Sequence, residues 1–189
     1  MTAFIFDPDH VALLEAEGWR AYYDKKWPRV LYLTERTTAT EFHVPFPLSV
    51  QGAYFVTRAA IAFKPVDNDL IKTRAGLRAY YELVRRWSGL AFDTDRVTDL
   101  ELEYWIVHRR LSGAADHAEL EDVLTRLHAA TFGIAPERAR ESAKWRTQAA
   151  MTVDEITGGR VPDLEGYWLR LREQLRRCYR SLQGALGPR

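Results

Sequence analysis

The stretch LEGYWLRLREQLRRCYRSLQGA, residues 164–185, carries the strongest helical pattern in the chain. Its apolar residues recur at alternating spacings of four and three over three heptads, which predicts a helix with one continuous apolar seam. The seam consists of Leu164, Trp168, Leu171, Leu175, Cys178, Leu182 and Ala185. Such a seam has to pack along a second helix, either within the chain or in a second copy of it. A homodimer is therefore one expectation.

The rest of the chain shows helix start and stop signals at short intervals. Pro28 predicts a break or kink near Trp27, and Asp116 with Glu119 predicts a capping box at the start of a sixth helix. No run of alternating β-branched residues bounded by turn signals predicts a strand. We therefore predict an all-α fold, in which residues 1–189 form a single domain built as a bundle of seven to eight helices.

Composition and charge narrow the class of protein. The 27 basic and 26 acidic residues leave a net charge of +1, which provides no long-range attraction to nucleic acid or anionic lipid. The single cysteine, Cys178, excludes an internal disulfide and favours a reducing compartment, so we expect a cytoplasmic protein. The start of the chain reaches Asp7 and Asp9 without a basic segment, which argues against a secretory signal. Residues 44–63 are strongly apolar, but two prolines and Arg58 favour a buried helix over a membrane span.

The fifth and sixth predicted helices carry the main candidate site. Glu101 and His108 lie seven residues apart on one border of the fifth helix, and Glu121 and His128 repeat this spacing on the sixth. The short loop at residues 112–116 predicts a hairpin that brings Glu101 level with His128 and His108 level with Glu121. Two structural Glu–His pairs, which would raise the histidine pKa values, are the simplest interpretation. A metal or proton-transfer site is the alternative, although layers about 10 Å apart cannot share one metal ion.

Aromatic residues supply the remaining candidates. Tyr23 and Tyr81 each belong to a pair of adjacent tyrosines on a helix, and one member of each pair is expected to pack while the other reaches a groove. Packing between helices is the favoured interpretation of these aromatic residues, and a ligand pocket is the alternative. Trp105 shares its helix border with the Glu/His residues described above. The resulting ligand-binding set suits a small apolar or aromatic ligand and consists of Tyr23, Tyr81, Glu101, Trp105, His108, Glu121 and His128.

No motif in the chain is specific for one reaction. Phosphate-binding glycine loops, Cys/His metal spacings and a nucleophile elbow do not occur, so we assign no catalytic residue, metal site or cofactor. We expect a binding or interaction protein with no nucleic-acid or membrane partner. The alternative is a small-molecule enzyme, or a metal or cofactor binder, that uses the Glu/His residues of helices five and six beside an aromatic-lined pocket.

Overall fold

Eight α-helices make up the computed structural model, which describes residues 4–159 and 161–187. The helices are α1 (Pro8–Tyr23), α2 (Trp27–Phe42), α3 (Leu48–Phe63), α4 (Leu70–Ser88), α5 (Thr94–Leu111), α6 (Ala118–Phe132), α7 (Pro136–Thr157) and α8 (Leu164–Leu186). No strand occurs in the described part of the chain. The all-α helical bundle predicted from the sequence is confirmed.

Local sequence signals set most of the helix starts. Carboxylates of Asp7, Asp93 and Asp163 accept hydrogen bonds of 2.9 to 3.1 Å from backbone N–H groups in the first turns of α1, α5 and α8. These N–H groups have no partner within the helix, so the side chains satisfy them. Pro28 lies in the first turn of α2, where its missing N–H removes no helical hydrogen bond. The predicted break near Trp27 is therefore a boundary between two helices.

The capping box predicted at the start of α6 is wrong. His117 occupies the N-cap position, and Asp116 Oδ1 accepts a hydrogen bond from the N–H of Ala118 at 2.9 Å, only two residues ahead. The carboxylate of Glu119 instead binds Arg110 at the end of α5, with Oε1 2.5 Å from Nη2. This charge-assisted hydrogen bond across the short loop draws the Glu119 side chain away from the helix start.

The helices pack in a closed ring that follows the order of the chain. Each helix packs against its neighbours in sequence, and α1 packs against α8 to complete the ring; a smaller contact joins α2 and α4. Gly76 allows α3 and α4 to approach closely, because a Cβ at this position would lie 3.0 Å from both Ala59 Cβ and the Phe55 carbonyl oxygen. One face of every helix is therefore directed towards a shared interior.

The apolar seam of α8 is covered by α7 and α1 of the same chain. Within the seam only Leu164, at the helix start, is exposed. The buried members are Trp168, Leu171, Leu175, Cys178, Leu182 and Ala185. A hydrogen bond of 2.9 Å from Thr152 Oγ1 to Gln174 Oε1, both buried, also joins α7 to α8. The seam is thus an interface within the chain.

Residues 44–63 contain α3, which buries one face and exposes the other. Ala53 and Ala59 are 0% exposed, whereas Tyr54 and Ile61 are 49% and 50% exposed. Among the described residues, no helix combines the length and the apolar character that crossing a bilayer requires.

Truncating the α8 seam should destabilise the whole bundle. Leu171 is 0% exposed, so we expect Leu171→Ala to lower the free energy of unfolding by about 2–5 kcal/mol. Leu169→Ala is the matched control, because Leu169 lies on the same helix and is 55% exposed; it should cost about 0.5 kcal/mol or less. Urea unfolding followed by circular dichroism measures both. Equal losses would contradict the burial of the seam.

Candidate functional site

A cavity of about 170 Å³ lies in the interior of the helix ring. All eight helices contribute residues to its wall. Among these residues are three glutamates, one arginine, one histidine, four tyrosines and four threonines, so much of the wall is polar. Its volume is close to that of an engineered cavity of about 150 Å³ that admits benzene. The space is therefore large enough for a small organic molecule.

A buried ion pair forms part of this wall. Arg146 Nη1 on α7 lies 2.5 Å from Glu15 Oε2 on α1, and the two side chains are 15% and 12% exposed. The hydroxyl of Tyr179 on α8 donates to the same oxygen of Glu15 at 2.6 Å. The guanidinium also lies over the ring of Trp19, 5.0 Å from its centroid. Since a single unpaired charge in the interior costs several kcal/mol, each partner depends on the other.

The carboxylate of Glu101 is held by two donors. The Tyr81 hydroxyl donates to Oε2 at 2.9 Å, and Trp105 Nε1 donates to Oε1 at 2.7 Å. Burial raises the pKa of Glu101, while these two hydrogen bonds oppose the shift because they favour the charged form. Both oxygens of this side chain are thus engaged by the protein.

Glu41 on α2 differs from the other two glutamates because its carboxyl group has no partner among the described residues. The side chain lines the cavity although the residue is only 7% exposed. Burial, with the nearby Glu15 carboxylate, raises the pKa of Glu41 to about 8, and Arg146 only partly offsets this. A carboxyl group with this pKa is mostly protonated at pH 7.

His128 on α6 is a neutral imidazole, and its contact with Ser142 favours one tautomer. The Ser142 hydroxyl donates its hydrogen to the Ala139 carbonyl at 2.8 Å, so its oxygen accepts the hydrogen of His128 Nδ1, also at 2.8 Å. In the tautomer that this arrangement favours, Nδ1 is protonated and Nε2 keeps a free lone pair. Burial, together with the positive charge of Arg146, lowers the pKa of His128 to about 3. The rise of this pKa predicted from the sequence is wrong.

The structure brings together part of the predicted site. Three of the seven predicted residues line the cavity: Tyr81, Glu101 and His128. A fourth, Trp105, lies behind the wall and binds Glu101. The other three lie outside the wall: Tyr23, His108 and Glu121.

The predicted Glu–His pairs do not form, although α5 and α6 do pack together. Glu101 and His128 line the same cavity, but each is hydrogen-bonded to other residues. His108 faces α7, where its Nε2 lies 3.2 Å from Asp154 Oδ1 without hydrogen-bond geometry. Glu121 makes no side-chain ion pair within the described chain. Glu101 binds Tyr81 of α4, and His108 and His128 lie against α7, so none of the three meets its predicted partner.

Sequence reasoning missed most polar residues of the wall, among them Glu15, Glu41, Arg146 and Tyr179. One signal for them is a charge on the apolar side of a helix. Arg146 follows Ala143 by three residues and precedes Ala150 by four, and both alanines are 0% exposed. At that spacing all three side chains share one face of α7, so the arginine has to be buried with them.

Two larger depressions lie on the outer surface of the ring. The one between α3 and α4 has a volume of about 620 Å³, and the one at the start of α5 has a volume of about 470 Å³. Several charged side chains at the second are already paired, as in the 3.0 Å contact between Arg78 Nε and Asp95 Oδ1. We place the candidate site in the central cavity because that is where charged groups are buried.

Comparisons with known proteins found no match. No protein-family model, no curated protein and no solved structure matches this chain. Within residues 4–159 and 161–187, no group of three or more His, Cys, Asp and Glu side chains is placed to hold a metal ion. The function is therefore argued from the chemistry of the cavity.

Breaking the buried ion pair should be costly. Glu15→Gln leaves the Arg146 guanidinium in the interior without its carboxylate, so we expect a loss of about 3–5 kcal/mol in the free energy of unfolding. Glu165→Gln is the control, because it removes the acid of the exposed Arg20–Glu165 pair, whose glutamate side chain is 66% exposed. The control should lose far less, as surface pairs contribute little. Chemical denaturation measures the free energy of unfolding of both variants. Two similar losses of this free energy would contradict a structural role for the buried pair.

Glu41 should make the protein less stable as pH rises. Its pKa of about 8 in the folded state lies above the value of 4.5 expected when unfolded, so between these values the folded state binds the extra proton. Stability then falls with rising pH by at most about 1.4 kcal/mol per pH unit, and the loss is complete above the folded pKa. Glu41→Gln should remove this dependence and be the more stable protein at pH 8.5.

The window from pH 6.5 to 8.5 isolates this effect. Below pH 6.5 the unfolded state also protonates His128, whose lowered folded-state pKa of about 3 makes stability fall as pH falls. Urea denaturation of wild type and Glu41→Gln across the window measures the difference in slope. Parallel curves would show that Glu41 does not carry the proton.

Proposed function

We propose that this protein binds a small molecule in the central cavity. The observation that carries the proposal is the carboxyl group of Glu41, which lines the cavity with no hydrogen-bond partner among the described residues. The free Nε2 of His128 belongs to the same wall. Buried polar groups in folded proteins are almost always hydrogen-bonded, so groups of this kind beside a cavity favour an occupant that completes them.

The destabilising effect of Glu41 on the folded state supports the same proposal. An acid buried without a partner destabilises the folded state, and an apolar side chain of similar size would remove that penalty. Retaining a destabilising polar group is typical of residues that contribute to function instead of to stability. The polar wall also changes the expected ligand from the apolar or aromatic molecule suggested by the sequence to one with polar groups of its own.

Acid–base catalysis on the bound molecule is a second candidate function. The specific observation in its favour is the pKa of Glu41, about 8, which keeps a donatable proton on the carboxyl group at neutral pH. His128 Nε2 offers an unprotonated acceptor on the same cavity wall. A general acid whose pKa is raised towards neutral pH by burial is a common feature of proton-transfer enzymes.

The homodimer and the cytoplasmic location stay predictions. The α8 seam, which suggested the dimer, is packed against α7 and α1, so a dimer would have to use another surface. Sedimentation over a range of protein concentrations tests this expectation. The cytoplasmic location still depends on the single cysteine, Cys178.

A screen of compact molecules tests the proposed function. We expect members of a set of small amines, alcohols, amides and carboxylic acids to shift the NMR signals of wild-type protein. Thr37→Met should abolish binding because Thr37 lines the cavity and the longer side chain fills it. Tyr32→Met introduces the same residue on the same helix at a position 61% exposed, and should leave binding unchanged. Melting temperatures check that both variants fold. Failure of every molecule to bind, or binding that survives Thr37→Met, would refute the proposal.

A further inference from the structure

We infer that the ligand of the central cavity is a compact organic cation, an ammonium group on a small carbon frame, with Glu41 as its counter-ion. This inference rests on the proposed small-molecule binding function and names the chemical class of the ligand. It follows from the charges, the hydrogen-bonding groups, the aromatic rings and the size of the cavity.

The charges around the cavity leave one carboxyl group without a partner. Glu15 is paired with Arg146, and both oxygens of Glu101 accept hydrogen bonds from neutral donors. Arg146 is the one cationic side chain among the described wall residues, against three glutamates. Glu41 has therefore no positive charge of its own, and a ligand that brings one would complete the set.

Several other polar groups of the cavity wall are hydrogen-bond acceptors that lack a donor. The Thr37 hydroxyl gives its hydrogen to the Leu33 carbonyl at 2.9 Å, so its oxygen can only accept a further bond. His128 Nε2 is likewise an acceptor, and an ionised Glu41 adds two more oxygens. An ammonium group has three N–H donors and no acceptor, which matches these needs. A carboxylate ligand would meet acceptors and like charge.

Aromatic rings and volume complete the fit. Tyr80 and Tyr81 both line the cavity, and their rings meet edge to face with centroids 5.2 Å apart. The face of a tyrosine ring attracts a cation, and this attraction is stronger where water is excluded. The volume of about 170 Å³ limits the carbon frame to roughly the size of benzene.

The inference has a measurable consequence, because the cation takes the place of a proton. When an ammonium ion binds, the O–H bond of the Glu41 carboxylic acid breaks, the proton leaves to solvent, and the carboxylate pairs with the ammonium. The pKa of Glu41, about 8, sets the range in which this exchange occurs. Affinity for the cation should rise by up to about tenfold per pH unit below that value and level off above it.

Other titratable side chains share the cavity wall with Glu41 and come from six helices. They are Glu15 of α1, Tyr80 and Tyr81 of α4, Glu101 and Tyr104 of α5, His128 of α6, Arg146 of α7, and Cys178 and Tyr179 of α8. The residue that α3 contributes to the wall is Val56, which does not titrate.

Cyclopentylammonium and cyclopentanol form the test pair, since they share a carbon frame and match benzene in their number of non-hydrogen atoms. Calorimetric titrations at pH 6.5 and 8.5 should show wild-type protein binding the cation at least about tenfold more tightly than the alcohol at pH 8.5. Affinity for the cation should rise about tenfold or more between the two pH values. Heats measured in buffers of different ionisation enthalpy should reveal close to one proton released per cation at pH 6.5.

Two variants connect these results to one side chain. Glu41→Gln should lose the preference for the cation, its pH dependence and the proton release, while its melting temperature shows that it folds. Glu35→Gln is the matched control, because Glu35 is on the same helix, lies outside the cavity wall and is hydrogen-bonded to Ser49. This control should bind both molecules as wild type does.

The outcomes separate the inference from the proposed function. If cyclopentanol binds as tightly as the cation and Thr37→Met abolishes this binding, the cavity is a ligand site but the ammonium inference is wrong. Cation binding that is unchanged in Glu41→Gln also overturns the inference. If neither probe binds and no molecule of the wider screen binds wild type, the proposed function fails together with it.

Discussion

The buried ion pair between Arg146 and Glu15 is the constraint on which the interior of this protein depends. A guanidinium in the core must meet a carboxylate, so α7 and α1 are held in one register on either side of α8. Tyr179 of α8 binds the same carboxylate oxygen and fixes the helix between them. The pair therefore acts where α1 and α8 meet to close the ring, and it places one negative and one positive charge in the cavity wall. Burial raises the pKa of Glu41, and the negative charge of Glu15 raises it further.

The helices could be predicted from the sequence because their signals are local. An aspartate N-cap such as Asp163 acts within one turn, and the α8 seam is a repeat within one segment. The partners of polar side chains could not be predicted in this way. The spacing of Glu101 and His128 indicated that both lie on helix borders, and both do line the cavity. It did not show that Tyr81 of α4 would bind Glu101 and that Ser142 of α7 would bind His128, because this depends on how each helix is rotated in the ring.

The polar interior can be recognised in the sequence of α2. Thr34, Thr38 and Glu41 follow the four-three spacing of a buried face, but none of them is apolar. A helix rich in threonine gains little from intrinsic propensity, so it must be held by its neighbours. An inward face of this kind contributes less to folding than leucine would. Its presence indicates that α2 contributes hydrogen-bonding groups to the cavity wall at the expense of folding stability.

Sharing one carboxylate among three helices has an evolutionary consequence. Glu15, Arg146 and Tyr179 are separated by up to 164 residues in the chain, yet a change in one alters what the other two can tolerate. A lineage that replaces the arginine by an apolar residue should also replace the glutamate, since either alone is a buried unpaired charge. These positions should therefore vary together. Such covariation would identify a distant relative with the same interior even after its helix surfaces have diverged.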